Sequence, residues 1–242
     1  MRIAVVKNNV RLSAIPSTIA LVLVVGLLAG FIAHWRYYSV EMKRISIQEM
    51  RLQKDIAEFT KYRNWTLDYC RIYMAFDILS KNKMSQEQKM LLSDEIWMLS
   101  RNYGFDPLLI PAIVFQESKG DPKAKGRFRS GAESGAYGLM QLKVVTAQEI
   151  GKRFKIKVEN PADLMRPEIS VIVGSAYLMR LVGRYGSVKK AVIAYNLGPG
   201  GVDSKIRSGE PLPTFYYEGV LAKYRKLQRL VDERMGESFK DF

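Results

Sequence analysis

The chain is 242 residues long but has one cysteine, Cys70, and one histidine, His34. A single cysteine excludes an intrachain disulfide, and Cys70 reads as a small buried apolar residue. A single histidine removes Ser-His-Asp and Cys-His catalysis and leaves a zinc or iron site without its commonest ligands. No metal and no cofactor is called for. Acidic residues are scarce too: 24 Asp and Glu stand against 38 Lys and Arg, a net charge of +14. That excess favours anionic partners, whether phospholipid head groups, nucleic acid or an acidic cell-wall polymer. Helix-turn-helix, RNP and zinc-finger spacings are missing, which sets nucleic acid aside. Any enzymatic chemistry must then rest on carboxylates, tyrosines, amides or lysines. Strand-like alternation is also rare, so the fold class is mainly α.

Residues 1–14 form a short basic tail with Arg2, Lys7 and Arg11. Residues 15–33 follow without a charge, about the length that crosses a bilayer, with Trp35, Tyr37 and Tyr38 at the depth of an aromatic belt. A small-x-small cleavage site is not evident, and Phe31 stands where a lipoprotein would need cysteine. The segment therefore reads as an uncleaved transmembrane signal anchor. Arg36, Lys43 and Arg44 on its far side balance the basic tail, so charge leaves the orientation open. Residues 36–83 lack glycine and proline and read as a helical stalk. Ile45, Leu52 and Phe59 recur every seventh residue with Met42 and Ile56 beside them, a pattern for self-association, for docking, or for a plain solvated connector. The expected domains are thus 1–35, tail and anchor; 36–83, stalk; and 84–242, a compact helical domain.

Within that domain Ser85 and Gln88 fit a capping box, and Gly104 closes the helix they open. Residues 121–136, rich in Gly, Lys, Arg and Ser, read as a loop or short hairpin. Further helices are expected over Val144–Phe154, from Pro167 to near Gly186, from Ser187 to the Gly198-Pro199-Gly200-Gly201 turn, and from about Tyr217 to Met235. The central helix runs from Pro107, with Asp106 as its N-cap, to Gly120. It is apolar on nearly every side, as a buried helix is. Glu117 sits at its C-terminal end. Apolar neighbours and the negative end of the helix dipole both raise a carboxyl pKa there, which suits a general acid. The bland alternative is a glutamate that reaches water at a helix end.

Three segments combine with that acid: Gln116-Glu117-Ser118; Tyr137-Gly138-Leu139-Met140-Gln141-Leu142; and Ala194-Tyr195-Asn196-Leu197-Gly198-Pro199-Gly200. In this order they resemble the E-S, G-L-M-Q and A-Y-N-x-G-x-G marks of the lytic transglycosylases, in the lysozyme-like superfamily. The resemblance covers about residues 85–230. It implies an α+β lysozyme-like fold with an active-site cleft. It also implies cleavage of bacterial peptidoglycan between N-acetylmuramic acid and N-acetylglucosamine, without water, to 1,6-anhydro products. Carried over, Glu117 is the catalytic acid and then base. Ser118, Tyr137, Met140, Gln141, Tyr195 and Asn196 are the substrate-binding positions. The late run Pro213-Thr214-Phe215-Tyr216-Tyr217 aligns Tyr216, with Tyr217 second, as the tyrosine that hydrogen-bonds the acid. Helix capping for Ser118 and core packing for Tyr137 or Tyr195 remain open.

The sequence departs from the family in two places. The stretch from Glu117 to Gly138 is long and carries Glu133, near where goose-type lysozymes have an acid. A second carboxylate in the cleft would make the enzyme a hydrolase; the alternative is a surface glutamate in a polar loop. The late segment has Pro213 or Leu212 in place of the family's acidic residue. The leading expectation is a single-pass protein of the bacterial inner membrane with a periplasmic or otherwise extracytoplasmic catalytic domain acting on glycan strands. A non-cleaving wall-binding scaffold of an envelope-spanning machine, joined through the stalk, is the rival outside enzymology.

Overall fold

The computed structural model describes residues 17–128 and 130–238. The expected basic tail, with Ile15 and Pro16 of the apolar run, lies outside those residues. Packing divides the chain into two units, Met1–Lys61 and Tyr62–Phe242.

The described part of the first unit belongs to helix α1 (Ser17–Ser80). Its apolar run has no protein cover: Leu27 is 74% exposed and Phe31 65%. Among the described residues α1 is the one helix long and apolar enough to cross a membrane, by length and composition. Ile45, Leu52 and Phe59 are exposed as well.

The second unit opens with the end of α1, where Ile72, Ala75, Phe76 and Leu79 make a stripe at helical spacing and are buried. The stalk was expected to run to residue 83, but from Tyr62 the chain groups with the second unit. Asp77 fixes this end: its carboxylate accepts from Lys89 Nζ at 2.7 Å and from Arg234 at 2.6 Å. Helix α2 (Gln86–Tyr103) starts at the Ser85–Gln88 capping box and ends at Gly104 in the left-handed region. Helix α3 (Leu109–Ser118) begins two residues later than expected. Asp106 Oδ1 instead accepts from the Leu108 N–H at 2.8 Å and stabilises the turn before the helix. Lys119 is the C-cap residue, and Gly120 after it has a positive φ of 81°, the left-handed conformation expected past the helix end.

The basic stretch folds as a hairpin. Strands β1 (Lys125–Arg127), β2 (Glu133–Tyr137) and β3 (Leu142–Lys143) form an antiparallel sheet in that order. Helix α4 (Val144–Phe154) follows directly. The Asn160-Pro161 turn develops into a short helix, α5 (Pro161–Leu164), capped by Asn160 and Asp163. Helix α6 (Pro167–Tyr185) packs against α2, α4 and α5, and against α7 (Val188–Leu197). The expected Gly-Pro-Gly-Gly turn is the first turn of another helix, α8 (Pro199–Ser208), because Pro199 at its start needs no N–H partner. Helix α9 (Phe215–Ser238) closes the unit against α3 and α7.

Candidate active site

Helix α3 is the axis of the site. Ile110, Ala112, Ile113 and Val114 are all fully buried, so the helix lies in the core and delivers Glu117 at its last turn. Burial pushes the Glu117 carboxyl above its ordinary value, because the charged form loses water. The Tyr216 hydroxyl donates to Glu117 Oε1 and opposes that rise in part. Tyr216, not Tyr217, makes this contact, and it comes from the first turn of α9. One turn on, Gly219 lets α9 approach: a Cβ there would lie 3.2 Å from Gln116 Oε1. Burial also raises the Tyr216 and Tyr195 phenols well above the usual tyrosine range, with the Glu117 charge adding to it. Both therefore remain protonated donors.

Glu117 faces an open cleft of about 820 Å³. Ser118, Gln141, Tyr195 and Asn196 line it beside the acid. Ser118 is buried and occupied by its helix: Oγ donates to the Val114 carbonyl at 3.1 Å and accepts from the Gly120 N–H at 3.2 Å. Tyr195 donates to the Met140 carbonyl at 2.8 Å, which ties α7 to the turn after β2. Asn196 is exposed, and among the described residues no side-chain hydrogen bond holds its amide. Gln141 uses its amide N–H groups on the carbonyls of Ala124 (3.1 Å) and Gly138 (2.8 Å). It thereby shapes the cleft wall.

Tyr137 and Met140 are not brought to the cleft lining. Tyr137 packs against the core from β2. Met140 is fully buried, and Gly174 makes room for it: a Cβ there would lie 2.5 Å from the Met140 sulfur. Gly138 likewise admits the Leu164 carbonyl, which would lie 1.7 Å from an added Cβ. Its freedom serves packing here. Glu133 is exposed on β2, with Lys125 Nζ at 3.5 Å, and is not a lining residue. Glu117 is the only carboxylate among the described lining residues. Tyr177, its ring tilted at 48° to that of Tyr195 with centroids 5.4 Å apart, and the cations Lys119, Lys125, Arg127 and Lys143 line the cleft without having been singled out from the sequence. Tyr177 is hidden in the apolar pattern of α6. Lys125 and Arg127 were visible within a basic stretch, with no sign of the face they take, and Lys119 and Lys143 lie outside it.

A helical unit whose cleft holds one buried, hydrogen-bonded carboxyl has the parts of an acid catalyst. The profile of the Transglycosylase SLT domain matches residues 95–214. A transglycosylase of Enterobacteria phage PRD1 is 37% identical over 105 residues, 43% of this chain and 34% of that one. Membrane-bound lytic murein transglycosylase F of Desulfosudis oleivorans is 33% identical over 107 residues, 41% of this chain and 20% of that one. Invasion protein IagB of Salmonella typhi is 31% identical over 151 residues, 57% of this chain and 88% of that protein. The chain spans about a third of the phage relative's length and a fifth of the Desulfosudis relative's. It belongs to the family of lytic transglycosylases with an SLT domain.

Proposed function

We propose that the protein is a peptidoglycan lytic transglycosylase that cuts the bond between N-acetylmuramic acid and N-acetylglucosamine with Glu117 alone. The observation that supports this most is the single carboxyl of the cleft, its pKa raised by burial and its position fixed by Tyr216. The protonated Glu117 gives its proton to the glycosidic oxygen as the bond to the anomeric carbon breaks. The substrate's N-acetyl group supports the oxocarbenium-like centre. The Glu117 carboxylate then takes the proton of the sugar's own 6-hydroxyl as that oxygen closes on the anomeric carbon. The acid is restored, no water is consumed, and a 1,6-anhydro end is left. Two-carboxylate hydrolysis needs a second acid beside the scissile bond, and Glu133 is engaged with Lys125 outside the cleft lining.

The apolar part of α1 and the membrane-bound relative support an anchor in the inner membrane through residues 15–33. The catalytic unit then lies on the extracytoplasmic side, where the wall is. Digestion of purified peptidoglycan by the full chain in detergent, with fragments weighed by mass spectrometry, tests the reading. Anhydro-muramyl ends that vanish with Glu117→Gln are expected. Reducing ends, one water heavier, would make it a hydrolase.

A further inference from the structure

The cleft has an unbalanced wall. It has one carboxyl, Glu117, whereas Lys119, Lys125, Arg127 and Lys143 all line it. Sugars alone are held by hydrogen bonds and stacking; a row of cations is arranged for negative charge. Three of these cations stand on the small sheet, not on a free loop. Lys125 pairs with Tyr137 across β1 and β2, and Tyr137 pairs with Leu142, the neighbour of Lys143. The Gln141 amide joins Ala124 at the start of β1 to the Gly138 turn, so the basic strand and β3 are held together.

The cations are also available. Among the described residues no ion pair holds Lys119 or Lys143. Arg127 gives one N–H to the Gly131 carbonyl at 3.1 Å, leaving other donors of its fork free. Lys125 has Glu133 at 3.5 Å, with both side chains nearly half exposed, a pair weak enough to exchange.

We propose that this sheet selects the anionic form of the glycan: Lys125, Arg127 and Lys143 hold carboxylates borne by the muramoyl residues or their peptides. Glu133 occupies Lys125 in the empty cleft and yields it to the incoming carboxylate. Glu133 thus competes with substrate. The inference rests on the glycan-cleaving reading above and adds the charge requirement.

The test compares purified glycan strands with the same strands whose carboxylates have been converted to neutral methylamides by carbodiimide coupling. The full chain in detergent is assayed for kcat/KM on both. The expected preference for the native strands is about tenfold, the scale of a few exposed charge pairs acting together. It falls to about one in Lys125→Gln/Arg127→Gln/Lys143→Gln, with the change in KM, and it falls in high salt. Glu133→Gln moves the ratio upward, which loss of structure would not do. Binding of both strands to the Glu117→Gln protein, by calorimetry, reads the same ratio without cleavage. A native-to-amidated ratio near one in the wild type, or a triple variant that keeps the wild-type ratio, overturns the inference. Absence of fragments with the binding preference intact overturns the glycan-cleaving reading alone.

Discussion

Two apolar helices of this chain have opposite surroundings. The apolar run of α1 turns Leu27 outward at 74% exposure, whereas Ile113 in α3 is 0% exposed. Composition alone hardly separates them. The difference is where the low dielectric comes from. α3 is enclosed by helices of its own unit, which can therefore place a carboxyl at the edge of that enclosure and raise its pKa. The described part of the apolar run of α1 is exposed, carries no charge, and is long and apolar enough to cross a bilayer. Composition alone thus does not decide what an apolar helix does; its cover does.

The comparison can be broken first at the acid. Glu117→Gln keeps the shape of α3 but removes its proton, and kcat on peptidoglycan is expected to fall by about a thousandfold. Next comes cover. Ile113→Ala should cost about 2–5 kcal/mol in denaturant unfolding, because it opens a cavity in a packed core. Leu27→Ala should stay within about 0.5 kcal/mol in the same measurement; equal losses would mean that both helices are protein-covered. The converse test is Leu23→Lys. A charge in the middle of a span costs about 2.5–3.5 kcal/mol, so flotation with lipid vesicles should drop sharply.

Smaller effects sharpen the account of Glu117. Tyr216→Phe removes the hydrogen bond that favours the charged carboxylate, so the Glu117 pKa rises further. The alkaline limb of the rate profile, where the acid is lost, should move to higher pH, while kcat falls about tenfold through lost orientation. The smallest effect is on stability. The Glu117 pKa is raised in the folded state, so the native protein holds its proton above the ordinary value of 4.5. Stability should then decline as pH rises from that value through the raised one. Glu117→Gln abolishes the decline and should raise Tm at neutral pH by about 2–4 °C, with no gain in acid.

The sequence was most legible where structure is local. The Ser85 cap, the Gly104 stop and the bounds of α4 depend on neighbours within one turn, and those neighbours are in plain view. The bounds of α3 were less so, because Asp106 has two ways to satisfy a nearby N–H. Helix α8 was missed because Gly200 and Gly201 read as turn residues, while Pro199 at the first position suits a helix just as well. The resemblance pointed to Glu117 and to Tyr216, which the structure joins by a hydrogen bond. It did not tell which way a side chain points: Met140 lies in the core and Tyr137 packs beside it, although both stand in the motif that shapes the cleft. The cations of the hairpin had the opposite fate, since nothing in a basic loop says which side of the sheet it lines.

The bond between Tyr216 and Glu117 spans 99 residues of chain. Biosynthesis proceeds from the N-terminus, so the acid is made long before the helix that aims it. Until α9 docks, Glu117 lacks both its hydroxyl partner and part of its enclosure. A chain still being made, or one clipped ahead of α9, is therefore unarmed. Under the proposed activity, the acid becomes competent only after α9 has docked on α3.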